Sequence, residues 1–496
     1  MAAASAHGIR SSPHRFAAVQ RVTGILLMVF SSTMLPPLLI SLLRGEGELG
    51  AFFAGLAITA AAGAAIWFPV RRATADLKIR DGFLVVMLFW VVLSTFGAIP
   101  FYLCDAGWFT VVDAMFEATS GLTTTGATVA SGLDHMPRSI LFYRVELHWL
   151  GGMGVIVLAV ALLPMLGVGG MQLFRAETPG PMKDTKLTPR IASTARALWL
   201  IYVTITALCT LVYWLLGMSF FDALCHAMST VSTGGFSNYD ASIGHFQSLP
   251  IELACMAFML IGATNFTLHF VAWRRRSLLT YLRDTEFRAY LFIVVTFGVL
   301  VCVPLWWFDT YEDAGTAIRK GMFQLIAYGT NAGFATADPT PWPLYVPLLI
   351  VLSGFMMGCA GSTAAGVKVA RLVLFLKQAA RELQRLLHPN ATIALKFGER
   401  SVPDDIVYAV GGFFSVYVGL TILLTFVMIA TGLDPVTAFS AVAAAINNEG
   451  PGLGSVNATM AHLTDFGKWV LIVTMVAGRL EIFTFLIVFT PAFWRR

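Results

Sequence analysis

Charge is what this sequence has least of: Asp, Glu, Lys and Arg make up 12% of its 496 residues, while 57% are apolar. With a mean hydropathy of +0.75, that excludes an ordinary water-soluble globular domain, in which about a quarter of residues are charged. Paired cysteines are missing too. Cys104, Cys209, Cys225, Cys255, Cys302 and Cys359 stand singly, so neither a disulfide framework nor a zinc site is suggested. None of the nine histidines falls in a metal-ligand spacing, and His148, His226 and His269 read as polar helix residues at a water-filled mouth or an interface. Segments of alternating polarity, the mark of a membrane β-barrel, do not occur. The stretch 361–368 (GSTAAGVK) lacks the Gly-Lys-Ser/Thr of a phosphate loop and has no strand before it, so no nucleotide is expected on this chain. Ser362 is not in a Gly-x-Ser-x-Gly elbow, and with no nucleophile or metal cluster elsewhere the chain does not read as an enzyme.

What is abundant is continuous apolar sequence. Runs near residues 22–43, 51–70, 83–104, 140–166, 195–217, 248–273, 288–308, 344–376, 405–431 and 467–490 are candidate membrane spans, each offering the roughly 20 residues a bilayer core requires. The first follows Arg10, Arg15 and Arg21, is long for a signal-peptide core, and is read as a retained helix. Stretches near 112–124, 220–232, 316–329 and 435–447 are too short to cross and read as re-entrant half-helices. With the N-terminus inside, most of the 33 Lys and Arg fall on the inner side, as the positive-inside rule requires, and both termini are cytoplasmic. Most acids fall outside, among them Asp113, Glu117, Asp134, Asp222, Asp240, Asp338 and Glu449. The net charge of +5 therefore hides a dipole. An acidic outer face concentrates cations. The basic inner loops either face anionic lipid or an acidic partner, or serve topology alone.

The four short stretches align without gaps: Ala114 to Gly126 (AMFEATSGLTTTG), Ala223 to Gly235 (ALCHAMSTVSTGG), Gly321 to Gly333 (GMFQLIAYGTNAG) and Ser440 to Gly452 (SAVAAAINNEGPG). Each lies between two apolar spans. The expected fold is an all-α polytopic membrane protein with four helix/pore-helix/helix repeats around a central pore, plus two extra N-terminal transmembrane helices. The units fall at 1–78 (the N-terminal pair), 79–190, 191–285, 286–400 and 401–496. Four half-helices directed at one axis would present their partly negative C-terminal ends to it, which favours a cation. The residues that follow them are Thr124-Thr125-Gly126-Ala127, Thr233-Gly234-Gly235-Phe236, Asn331-Ala332-Gly333-Phe334 and Gly450-Pro451-Gly452-Leu453. Segments of this kind can line a narrow passage with backbone carbonyls, glycine permitting the required dihedrals.

Two further features interrupt the apolar runs. Residues 354–366 (GFMMGCAGSTAAG) are small or hydroxylated, which composition alone reads equally as a mobile break or as tight helix packing. Arg479 lies inside the last span, where a lipid-facing guanidinium would cost roughly 2.5–3.5 kcal/mol. It is expected to face the pore as a barrier to cations, with a structural pair to Glu481 as the alternative.

In these segments the chain resembles the Trk, Ktr and HKT superfamily of potassium transporters, and within it the TrkH/TrkG-type membrane subunit. TTTGAT at 123–128, STGGFSN at 232–238, NAGF at 331–334 and NNEGPGLG at 447–454 look like its four filter loops, and GCAGSTAAGVKVAR at 358–371 and AGRLEIFT at 477–484 extend the likeness over nearly the whole chain. The resemblance implies that Gly126, Gly235, Gly333 and Gly452 are filter glycines, with the flanking residues quoted above offering carbonyls to potassium, the transported ion. Plant relatives that prefer sodium carry serine at the first of these positions, so Gly126 points to potassium. It also implies that the broken segment is an intramembrane gate held by Gly358, Gly361, Ser362, Thr363 and Gly366, with Arg479 beneath the filter. As partners it implies a second copy in a homodimer, a cytoplasmic nucleotide-binding TrkA-type regulatory subunit docking on the basic loops 175–196, 274–288 and 377–400, and membrane lipid, but no nucleic acid. The location implied is the bacterial inner membrane. The competing class is a cation-coupled secondary transporter working by alternating access; fourfold repetition and the shortage of intramembrane acids argue against it.

Overall fold

The computed structural model describes residues 16–72, 79–104, 107–157, 187–398 and 400–495. The expected basic loop 175–196 and the far end of the run 140–166 lie largely outside them. Among the described residues, six helices are long and apolar enough to cross a membrane: Ala17–Arg44, Leu49–Val70, Arg80–Leu103, Ala195–Leu215, Thr285–Trp307 and Asp404–Ala430. A further pair, Leu249–Gly262 and Phe266–Arg275, meets at a 96° bend. These helices turn apolar side chains outward, as Phe292, Val295 and Val299 do on Thr285–Trp307, the reverse of a water-soluble helix and the arrangement lipid favours. The chain is an all-α polytopic membrane protein, with one hairpin of two-residue strands (Lys396–Phe397, Arg400–Ser401) among its described residues.

Two of the apolar runs are broken, the first where its small and hydroxylated residues 354–366 interrupt it and the second, read as one span, near its end. The run at 344–376 is Val346–Ser353, an irregular segment, and Val369–Leu387. That at 467–490 is Asp465–Arg479 and then Phe483–Ile487, separated by Glu481 and Ile482, both at φ 53°. The N-terminal pair is held together by reciprocal close approach: a Cβ on Gly24 would lie 2.8 Å from the Gly63 carbonyl oxygen, and one on Gly63 would lie 2.9 Å from that of Gly24. Small residues at such a crossing let the two backbones touch.

The four short helices are Val111–Leu122, Phe220–Val231, Ala314–Gly329 and Pro435–Ile446. Each starts on a side-chain cap: Thr110 accepts from the Asp113 amide, Ser219 from Asp222, Asp313 from Thr316, and Asp434 from Val436 and Thr437. A cap of this kind contributes about 1 kcal/mol. Each ends the same way as well. The second residue past the helix has positive φ: Thr124 52°, Thr233 52°, Asn331 58°, Asn448 49°. The amide after it donates back to the helix, Thr125 to Ser120 at 2.8 Å, Gly234 to Ser229 at 2.9 Å, Ala332 to Ala327 at 2.8 Å and Glu449 to Ala444 at 2.8 Å. This is a Schellman closure repeated four times, and two of its left-handed positions hold β-branched threonine, strain of the kind that concentrates at functional sites.

Candidate functional site

The residue that follows each closure by one is a glycine at positive φ: Gly126 81°, Gly235 85°, Gly333 65°, Gly450 98°. Space around these four is closed in a cycle. A Cβ on Gly126 would strike the carbonyl oxygen of Gly234, one on Gly235 that of Ala332, and one on Gly333 that of Glu449; on Gly450 it would come within 2.9 Å of the carbonyl oxygen of Thr125. Each glycine thus abuts the carbonyl just before the equivalent glycine of the next repeat, in the order first, second, third, fourth, first. The four loops surround a single axis, and all four glycines line the floor of a cavity of about 310 Å³, whose wall includes Asp240 and Asp338.

This geometry corrects the register of the fourth loop. Gly450, not Gly452, matches the other three glycines, so the matching stretch is Ala438–Gly450 and the gapless alignment on Ser440 is displaced by two residues. Gly450 and Pro451 line the cavity. Gly452 lies behind it, its amide donating to Val456 and its carbonyl accepting from the Tyr328 hydroxyl at 3.1 Å, and Leu453 is buried against the third repeat. Ala127 and Phe236 line the cavity wall, while Phe334 is buried beside it, stacked on His226.

The loops are fastened from behind by buried polar groups whose bonding partners the sequence reading did not identify. Glu117, on the first short helix, accepts from the Thr128 hydroxyl at 2.9 Å, the Val129 amide at 3.1 Å and Arg144 Nε at 2.7 Å. Arg144 donates onward to the Ser237 carbonyl at 3.1 Å and lies 4.2 Å from the Phe236 ring centre, joining the first and second loops. Such a pair is sustained only because its remaining donors and acceptors are satisfied. His226 Nδ1 donates to the Asp222 carbonyl at 2.8 Å, which leaves Nε2 to accept from the Ser237 hydroxyl at 2.9 Å. His148 stacks 4.0 Å from Phe236 and fills the space a Cβ on Gly234 would need. Both histidines are fully buried helix residues packed against the second loop, in keeping with an interface and not with a wet mouth. The Glu449 side chain, expected on the outer side, is buried against Gly354.

Beneath the second loop lies the irregular segment. Its Cys359 amide donates to the Ala263 carbonyl at 3.0 Å, its Gly361 carbonyl accepts from the Phe266 amide at 3.1 Å, and Thr363 Oγ1 donates to the carbonyls of Gly262 at 2.9 Å and Val231 at 3.1 Å. Gly361 and Gly366 take positive φ, Ser362 turns back to the Cys359 carbonyl, and Gly358 leaves room for the Ala365 carbonyl. Arg479 is buried and donates to the Thr363 carbonyl at 3.1 Å, with the Gly151 carbonyl at 3.5 Å. Glu481 pairs instead with Arg371, because the chain turns after Arg479 and carries the acid away. A Cβ on Gly151 would in turn strike the Leu122 carbonyl oxygen, so Arg479 and Thr363 lie beside the ends of the first two short helices.

Four re-entrant helices closing a carbonyl-edged ring inside a bundle of apolar spans define a helical membrane transport protein. A family model described as TrkH, cation transport protein, matches residues 48–496, and the chain belongs to that family. It is 52% identical over 478 residues to the Trk system potassium uptake protein TrkH of Halomonas elongata, covering 96% of this chain and 99% of that one. To the Escherichia coli Trk system potassium uptake protein TrkG it is 39% identical over 477 residues, 96% of this chain and 98% of the relative. The crystal structure of the potassium transporter TrkH from Vibrio parahaemolyticus superposes with a TM-score of 0.90 at 47% identity, over 97% of this chain and 100% of that one.

Proposed function

We propose that this chain carries potassium into the cell through one pore formed by its four repeats, with the carbonyls around Gly126, Gly235, Gly333 and Gly450 taking the place of the ion's hydration shell. The observation that carries this reading is the closed cycle of glycine-to-carbonyl contacts, in which four loops with positive φ at equivalent positions each set a carbonyl oxygen against the glycine of the neighbouring loop. The C-terminal ends of the four short helices add partial negative charge below them, and Asp240 and Asp338 do so above. Inward movement of one charge through 100 mV releases about 2.3 kcal/mol, enough to drive uptake without a coupled ion.

In this reading the segment 354–368 is the gate, because it crosses beneath the ring and binds both the second repeat and Arg479. Arg479 is a cationic barrier that must be displaced or screened for conduction. The chain acts in a bacterial inner membrane with both termini cytoplasmic, as a homodimer controlled by a TrkA-type nucleotide-binding subunit. The exposed Arg274, Arg275 and Arg276 form the best docking candidate among the described basic loops. Potassium flux into proteoliposomes of the purified chain, measured against sodium, tests the reading: potassium-preferring flux supports it, and equal permeation of both ions counts against the carbonyl cage.

A further inference from the structure

Glu286 sits in the first turn of the helix Thr285–Trp307 and is 3% exposed. Its Oε1 accepts from two amides of another part of the chain, Ala360 at 2.7 Å and Ala370 at 3.2 Å. Ala360 is in the middle of the irregular segment beneath the ring. Ala370 is in the first turn of Val369–Leu387, a helix whose own preceding residue, Lys368, is at φ 73° and gives no side-chain cap. The cap is supplied from outside, by a carboxylate at a helix N-terminus, the favoured sign for that position. One oxygen thereby pins the middle of the segment and the helix that follows it to the same point.

That point is the end of a corner. Thr285–Trp307 starts on Asp284, which accepts from the Phe287 amide at 2.7 Å, and is reached through Leu279–Arg283 from Phe266–Arg275. Tyr281 donates to His269 Nδ1 at 2.8 Å, and His269 Nε2 donates to the Ile261 carbonyl at 3.0 Å, so the corner is braced as a unit. It carries the exposed Arg274, Arg275 and Arg276 at one end and Glu286 at the other. The corner is thus bonded to the segment at Glu286, and the same segment carries Thr363, which Arg479 contacts.

We infer that Glu286 is a positioning residue that transmits movement of the basic corner 274–286 to the intramembrane segment, holding that segment under the ring while the corner keeps its present position. The inference rests on the reading of 354–368 as the gate. It goes beyond that reading by naming the latch and the side from which the latch is worked.

The test is potassium and sodium flux through the purified full chain in proteoliposomes, for wild type, Glu286→Ala, Glu286→Gln and Thr363→Val. Glu286→Ala, which loses both acceptor contacts, should raise potassium flux about five- to tenfold with the potassium-to-sodium ratio unchanged. Glu286→Gln keeps an acceptor oxygen without the charge and should fall between it and wild type. A residue that merely supports the fold would lower flux or degrade selectivity. Thr363→Val frees the segment independently, by removing its hydroxyl bonds to the second repeat. If Thr363→Val raises flux while Glu286→Ala does not, the latch is refuted and the gate stands. If neither raises flux, the gate reading fails and the latch with it. Should Glu286→Ala not fold, hydrogen exchange in Glu286→Gln decides: faster exchange across 355–372 with the short helices unchanged supports the latch, and unchanged exchange there overturns it.

Discussion

Gly450→Ala and Gly452→Ala differ by one methyl group two residues apart, yet the structure assigns them opposite consequences. Gly450 has φ 98°, a conformation that costs an L-residue about 1–2 kcal/mol. Its new methyl group would also stand 2.9 Å from the Thr125 carbonyl oxygen, closer than real side chains approach, so that oxygen or the fourth loop must yield. A cage that discriminates ions by oxygen position feels such a shift directly, and 1–2 kcal/mol corresponds to a roughly five- to thirtyfold fall in the potassium-to-sodium ratio. At Gly452 the methyl group would meet the Val456 side chain at 2.6 Å and Ser440 Oγ at 3.0 Å, behind the cavity. Overpacking there costs about 1–3 kcal/mol of stability and leaves the ring carbonyls in place. Paired ion-flux and thermal-unfolding measurements on both variants separate the two effects. Lost selectivity in Gly452→Ala with selectivity intact in Gly450→Ala would refute the register of the fourth loop.

Arg479→Ala should increase potassium flux several-fold, since it removes both a buried cation and a tie to Thr363; equal or lower flux in a monodisperse sample would reject the barrier role. Arg144→Met strands Glu117 without its cation and should cost about 3–5 kcal/mol, read as a fall in melting temperature that Glu117→Gln/Arg144→Met partly restores. Asp434 is held below the usual carboxylate range by hydrogen bonds from Thr437. Its folded value being the lower one, its stabilising effect is complete at neutral pH and fades as pH falls through that depressed value. Asp434→Asn should therefore flatten the acid limb of a stability-versus-pH curve, and an unchanged limb would show that the cap does not matter.

Hydropathy made the spans and the half-helices legible, because lipid forces long apolar runs and a bilayer leaves few uses for short ones. It did not fix the register within a half-helix, where Ser440, Ala441 and Ala443 are all small and glycines recur at 450, 452 and 454. The caps held the missing signal. Thr110 to Gly126, Ser219 to Gly235 and Asp434 to Gly450 cover the same number of residues, and the capping pattern Thr-x-x-Asp, Ser-x-x-Asp, Asp-x-x-Thr marks each start. Other misses are long-range contacts that no local pattern encodes. The preferred reading leaves Arg479 without Glu481 as its partner, but nothing in the sequence names Arg371, to which a turn of two positive-φ residues sends the acid. Glu286 reads as an ordinary helix-start acid until the fold brings Ala360 and Ala370 to it.

The most direct test of a pore built from four equivalent loops is potassium and sodium flux in proteoliposomes for wild type and Gly235→Ser. Gly235 has φ 85°, and its new side chain would collide with the Ala332 carbonyl of the next loop. The ring account predicts potassium-preferring flux in wild type and a collapse of that preference in the variant, with conduction retained. Wild-type conduction whose selectivity survives Gly235→Ser would contradict it.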